Sequence, residues 1–243
     1  MQDISSLFKK GSEIFKNGID VFFLIQLIVL GISILIGVFI YLFSVLGLIL
    51  FSAVIGTISS EKSLVAVVGV ILVGLLIGLA LMAIFAFTFL LQSIGQGAMV
   101  IAMQDVLNNK KKSFSNYFKE AFEIKWQLIG LIVLQTLLIL LGAIFFVIPG
   151  LLISFMVSLA VYPLVYKKKK IWESIKESFH LVASNFWPVL GRYALLLLVI
   201  WGIMAVTSWI PMANFAVGII SGIVSSIFTF LIYKELSSKE KEL

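Results

Sequence analysis

Residues able to do acid, base or ligand chemistry are few in this chain of 243 residues, and they are widely spread. The single histidine, His180, follows Glu173 by seven residues and Glu177 by three. On a helix all three share the polar side, where a ligand set or proton relay would need them. A solvated face puts them there too, and that is the expected role. Asp20 and Asp105 flank the first two apolar stretches. Two carboxylates can divide acid and base work between them, but nothing in the spacing brings this pair together. The H-E-x-x-H, G-x-S-x-G and G-x-x-x-x-G-K-[ST] motifs are absent. There is no cysteine, which excludes disulfides, zinc thiolates and iron–sulfur ligation. The sequence therefore implies no enzyme, no catalytic or metal site and no cofactor.

Charged groups inside apolar spans are the usual mark of an ion or proton path. Here the span cores carry none; Arg192 lies only a few residues into its span, within snorkelling reach of the headgroups. A proton-coupled carrier or charged pore is disfavoured. Four uncharged residues, Gln92, Gln96, Gln135 and Asn214, are the candidates to line a cavity, with helix-packing hydrogen bonds as their simpler role.

The cations are concentrated. Sixteen of the seventeen lysines fall in the N-terminal segment, in Lys110 to Lys125, in Lys167 to Lys176 and in the tail from Lys234. By the positive-inside rule these four places share the cytoplasmic side, with both termini, and Glu61 and Lys62 mark a loop opposite. Lys110, Lys111, Lys112, Lys167, Lys168, Lys169 and Lys170, joined by Arg192, form a candidate surface for anionic lipid headgroups. Each such charge contributes about 1 kcal/mol near an anionic leaflet. Nucleic acid is excluded as a partner because the basic runs are short, hug the membrane and lack interleaved aromatics.

The elements that must hold these residues are membrane helices. The chain is 61% hydrophobic and 12% charged, with a net charge of +6 and a mean hydropathy of +1.17. Uncharged runs exceed the ~20 residues that cross a bilayer. The apolar run behind Lys9, Lys10 and Lys16 is too long for a cleavable signal peptide, so the first span is expected to stay. The expected class is all-α, with spans at about 21–43, 64–87, 127–147, 149–166, 186–209 and 213–233. The uncharged gaps from Asp20 to Glu61 and from Lys62 to Asp105 are each ~60 Å long if helical. Each gap therefore holds one span with its surplus in an interface, at Ser44 to Ser60 outside and Gly97 to Asn109 inside. Eight spans is the alternative. Gly74 with Gly78, and Gly218 with Gly222, are spaced for close helix packing within the monomer or in a homo-oligomer.

Three amphipathic stretches precede spans that enter from the lysine side: Met1 to Gly18, Ser113 to Trp126 and Lys170 to Trp187. With Phe8, Phe118 and Ile175 in register, apolar positions coincide, as do Lys9, Lys119 and Lys176; Lys125 interrupts the apolar stripe. The expected repeat is an interfacial helix plus a transmembrane hairpin, over about 1–109, 110–169 and 170–236 of one membrane domain, with 237–243 a polar tail.

Val147-Ile-Pro-Gly-Leu151, the run to Tyr162-Pro-Leu-Val, the Ser174-Ile-Lys-Glu-Ser178 helix and Asn185-Phe-Trp together resemble the membrane domain joined to some glycerophosphoryl diester phosphodiesterases. Related prokaryotic polytopic membrane families share the pattern. In the fused proteins catalysis belongs to a separate soluble barrel, so the resemblance implies a membrane module without that activity. The expected function is a non-enzymatic plasma (inner) membrane protein that engages lipid or scaffolds a partner. A transporter of a small amphiphilic or lipid-like molecule is the alternative, and an immunity or stress-protection protein a third.

Overall fold

In lipid a backbone finds partners only in itself, and an uncharged apolar chain accordingly winds into helices. A computed structural model describes residues 4–61 and 64–240. Lys62 and residues 241–243 lie outside the described residues, as do the side chains of Ile4, Glu61 and Ala66. The helices are α1 (Ile4–Glu61), α2 (Leu64–Leu107), α3 (Phe114–Glu123), α4 (Lys125–Phe145), α5 (Val147–Val157), α6 (Val161–Tyr166), α7 (Ile171–Ser184), α8 (Phe186–Thr207) and α9 (Pro211–Lys239). Six helical stretches among the described residues are long and apolar enough to cross a membrane.

α1 and α2 are longer than expected. They run unbroken for 58 and 44 residues, ~87 Å and ~66 Å of helix. The N-terminal amphipathic stretch is therefore continuous with the first span, and Ser44 to Ser60 stays helical. With no proline or asparagine between Asp20 and Glu61, nothing there interrupts the hydrogen-bond ladder. The expected inner-interface surplus is also helical up to Leu107, and it is core: Ala98, Ala102 and Met103 are fully buried.

The chain forms two compact units, Met1–Leu27 with Ser93–Leu243, and Ile28–Gln92. Within the smaller unit the two helical arms face each other, Leu35, Ile36 and Phe39 across a cleft from Ala83, Ile84 and Phe87. A Cβ on Gly47 would stand 2.9 Å from Ile77 Cδ1. Gly74 and Gly78 are not close-packed within the chain: a Cβ on either would meet nothing within 4 Å among the described residues. Gly218 is equally open, and of the four only Gly222 is close-packed, 3.1 Å from Gln26 Nε2.

In the larger unit the tightest crossing is between α4 and α5. A Cβ on Gly150 would lie 3.0 Å from the Ala143 backbone, and one on Gly142 3.1 Å from that of Gly150. Such approach needs glycine. The turn between them is a single extended residue, Phe146, and Pro149 sits in the first turn of α5, where its missing N–H leaves no helix partner unfilled.

The fourth span is broken, which the sequence reading did not anticipate. α5 stops at Val157 and α6 starts at Val161. Pro163 has no N–H to give the Leu159 carbonyl four residues before it, and its ring crowds that carbonyl. Tyr162 N–H bonds Leu159 O instead, at 3.1 Å.

α7 packs its apolar face on the protein. Ile175, Leu181 and Val182 are buried while Trp172, Phe179 and His180 are exposed. Burial also recurs along the chain in one register. When the last residues of α3 and α7, Glu123 and Ser184, are paired, Tyr117 matches Ser178, Leu128 matches Val189 and Leu131 matches Arg192, all buried. Leu7, Gly18 and Val21 of α1 hold the corresponding places and are buried too. This register sets Phe179, not Ile175, against Phe118, one helical turn from the sequence-based one.

Candidate functional site

The polar chemistry of the larger unit collects at the lysine-bearing helix ends. Glu177, on the inward face of α7, is its centre: the side chain is 5% exposed, with Lys167 Nζ 2.6 Å from Oε1 and Lys169 Nζ 2.6 Å from Oε2. Tyr233 of α9 donates its hydroxyl to Oε1 at 3.3 Å. Two alternate lysines reach one carboxylate because Lys168 between them takes a left-handed turn, φ 49°, and points outward. Burial alone would raise the Glu177 pKa, but hydrogen bonds and charge from Lys167 and Lys169 prevail and hold it below its usual value. The hydrogen bond to Glu177 in turn raises that of Lys169.

A second cluster ties α3 to the helices before it. Lys111 Nζ lies 2.6 Å from Asp20. Lys112 Nζ bridges Glu120 at 2.8 Å and Asp105 at 3.0 Å, contacts that push its pKa up, Glu120 foremost. The Lys112 N–H donates to the buried Tyr117 hydroxyl at 2.8 Å. Asp20 and Asp105, which the spacing left apart, are thus held by consecutive lysines. Exposed pairs of this kind contribute ~0–1 kcal/mol each, so their effect is chiefly to fix the loop.

Arg192 departs from its expected place at the headgroups. It and Glu235 are each 5% exposed, with Nη1 2.8 Å from Oε2, joining α8 to α9. A guanidinium buried in a helix bundle is costly without a counter-ion, and the last turns of α9 supply one. Of the lysines proposed for a lipid surface, Lys111, Lys112, Lys167 and Lys169 engage carboxylates. Lys110, Lys168 and Lys170 are exposed.

Four rings on α6 and α9 complete the site. Tyr162 stacks on Tyr233 at 5.2 Å and Tyr166 on Phe230 at 5.5 Å. Their hydroxyls reach other segments, Tyr162 donating to Ser226 O at 3.3 Å and Tyr166 to Val100 O at 3.4 Å. Sequence reasoning passed over these tyrosines and Glu235, and it placed Glu177 on a solvated face. A usable signal exists for Glu235: one acid and one base, each near the same end of adjacent antiparallel spans.

The uncharged candidates scatter. Gln92 and Gln96 are exposed. Gln135 donates to the Val157 carbonyl at 2.6 Å, binding α4 to the end of α5. Asn214 accepts from the Thr207 hydroxyl at 3.1 Å across the turn between α8 and α9. Gln92 and Gln96 stand one turn apart on α2, while Gln135 and Asn214 are each committed to a bond of their own. His180 is exposed, and Lys125 Nζ sits 3.7 Å above the Phe122 ring, a cation–π contact that accommodates it on an apolar stripe. Among the described residues no three His, Cys, Asp or Glu side chains gather as metal ligands would. In comparisons with known proteins, the chain matches no family model, no curated protein and no solved structure.

Proposed function

We propose that this chain is a non-enzymatic integral protein of the plasma (inner) membrane, with both termini cytoplasmic, whose lysine-bearing end engages lipid headgroups. The observation that carries this reading is the placement of tryptophan. Trp187 and Trp209 are 77% and 90% exposed at the two ends of α8, a helix of 22 residues. They stand ~33 Å apart along its axis, close to the ~30 Å hydrocarbon thickness. Tryptophan favours both membrane interfaces. Exposed Trp126 and Trp172 lie at the lysine end, beside Lys125 and Lys170.

Three copies of an amphipathic segment followed by a transmembrane hairpin remain the architecture we favour. The recurring burial of Leu7, Tyr117 and Ser178, and of Val21, Leu131 and Arg192, supports it. The sequence resemblance to phosphodiesterase-linked membrane domains, taken with the absence of their soluble barrel from this sequence, implies a membrane module without that activity. A carrier would need a cavity lined by uncommitted polar groups, and Gln135 already bonds the Val157 carbonyl.

Thermal unfolding in nanodiscs tests the headgroup reading. The midpoint is expected to rise as neutral lipid is replaced by anionic lipid, and the rise to shrink in high salt. A midpoint indifferent to both would contradict it.

A further inference from the structure

We propose that the larger unit holds one anionic phospholipid, its phosphate between Lys167 and Lys234 and an acyl chain in the groove between α1 and α9; this rests on the lipid-engaging reading above. Three adjoining clefts carry the inference. The first, of about 390 Å³, is lined at the lysine end by Lys167, Lys234, Gln104, Asn108, Ser237 and Ser238. Two ammonium groups, two amides and the Ser237 hydroxyl are the polar groups this cleft offers a phosphodiester and its headgroup. Lys167 shares its ammonium with Glu177 at 2.6 Å, and Ser238 already donates to the Glu235 carbonyl at 2.8 Å. No carboxylate is among its described lining residues.

The second cleft shares Leu107, Lys234 and Ser238 with the first and adds Leu7, Lys10 and Glu235. Glu235 is already bonded to Arg192, so its charge does not oppose an anion as a bare carboxylate would. Leu7 continues into the third cleft, about 200 Å³, where Phe8, Gly11 and Phe15 of α1 face Val224, Ile227 and Phe228 of α9. Its one hydroxyl, Ser12, donates to the Lys9 carbonyl at 2.9 Å and leaves the groove apolar.

The lining thus changes from cationic to amphipathic to hydrocarbon along one path. From Lys234 to Val224 is ten residues of α9, ~15 Å, long enough to lie along the first part of an acyl chain. A soluble phosphate compound would use only the first cleft. An amphiphile with a phosphate at one end uses all three. Gly11 keeps the groove open: a Cβ there would make ordinary contacts, 3.6 Å from Leu231 Cδ1 and 3.9 Å from Ile227 Cγ2, so a larger side chain can enter without forcing the helices apart.

The test is native mass spectrometry of the full chain released from nanodiscs containing equal phosphatidylglycerol and phosphatidylcholine with matched chains. The expected result is one retained phosphatidylglycerol per chain, in preference to phosphatidylcholine and undisplaced by millimolar inorganic phosphate. Lys167→Gln with Lys234→Gln should reduce that preference roughly tenfold or more. Lys234→Gln alone, at an exposed position, gives a second reading should loss of the Lys167–Glu177 pair impair folding. Gly11→Leu should lower retention of both lipids. Equal retention of the two lipids, an unchanged preference in both lysine variants, displacement by phosphate, or an inert Gly11→Leu would each overturn the proposal. Vesicle flotation of the same samples separates the two levels. A chain that floats but shows no preference defeats only this site, whereas one that fails to float defeats the membrane reading beneath it.

Discussion

Ser178 of α7 closes the backbone break at Leu159. Its hydroxyl accepts the Leu159 N–H at 3.1 Å and donates to the Met156 carbonyl at 2.7 Å. A break within a span is tolerable when a neighbouring helix satisfies the freed groups, and Ser178, fully buried, does so for the fourth span. Ser178→Ala should destabilise the protein by about 1–3 kcal/mol, because a buried N–H loses its partner. Ser178→Thr keeps the hydroxyl and should lose less. Thermal unfolding in detergent checks the order; an Ala variant as stable as wild type would contradict it.

Arg192 and Glu235 should behave as a buried pair. Either Arg192→Leu or Glu235→Leu alone leaves an uncompensated charge and should destabilise by roughly 3–5 kcal/mol. The double substitution should recover much of that loss. A double-mutant cycle in which the two effects simply add would show that the pair is not coupled.

Glu177 gives the fold a pH dependence. Its folded pKa lies below the usual 4.5, because Lys167 and Lys169 outweigh burial. The stability it contributes is therefore fully present above 4.5, and is lost as the pH falls through the depressed folded value. Between neutral pH and about pH 3 the wild-type midpoint should fall more than that of Glu177→Gln. Parallel curves for the two proteins would contradict this sign.

Much of the architecture was legible because hydropathy and lysine placement act over whole segments. The amphipathic α3 and α7 and the four helical spans from Lys125 onward follow from periodicity and from residues such as Pro149, Pro211 and Lys167. What escaped depends on contacts between segments distant in sequence. Arg192 six residues into α8 reads as a snorkelling cation until α9 places Glu235 beside it. Pro163 marks a weak point in the fourth span, but only α7 shows how Ser178 mends it. The continuity of α1 went unread for another reason: hydropathy finds the apolar part of a helix and cannot report that helix continuing past it. Glu177 lay on a face assigned to water, and only the turn at Lys168 reveals why two lysines converge on it.

Cysteine accessibility tests the central claim most directly. The chain has no native cysteine, so single cysteines can be introduced without background. Replacements at Lys110, Lys168 and Glu240, all exposed, should react with a membrane-impermeant thiol reagent only from the cytoplasmic side, and one at Glu61 only from outside. A Glu61 site labelled from the same side as Lys168 would contradict the six-span arrangement, and with it the gathering of the lysines at one face of the membrane.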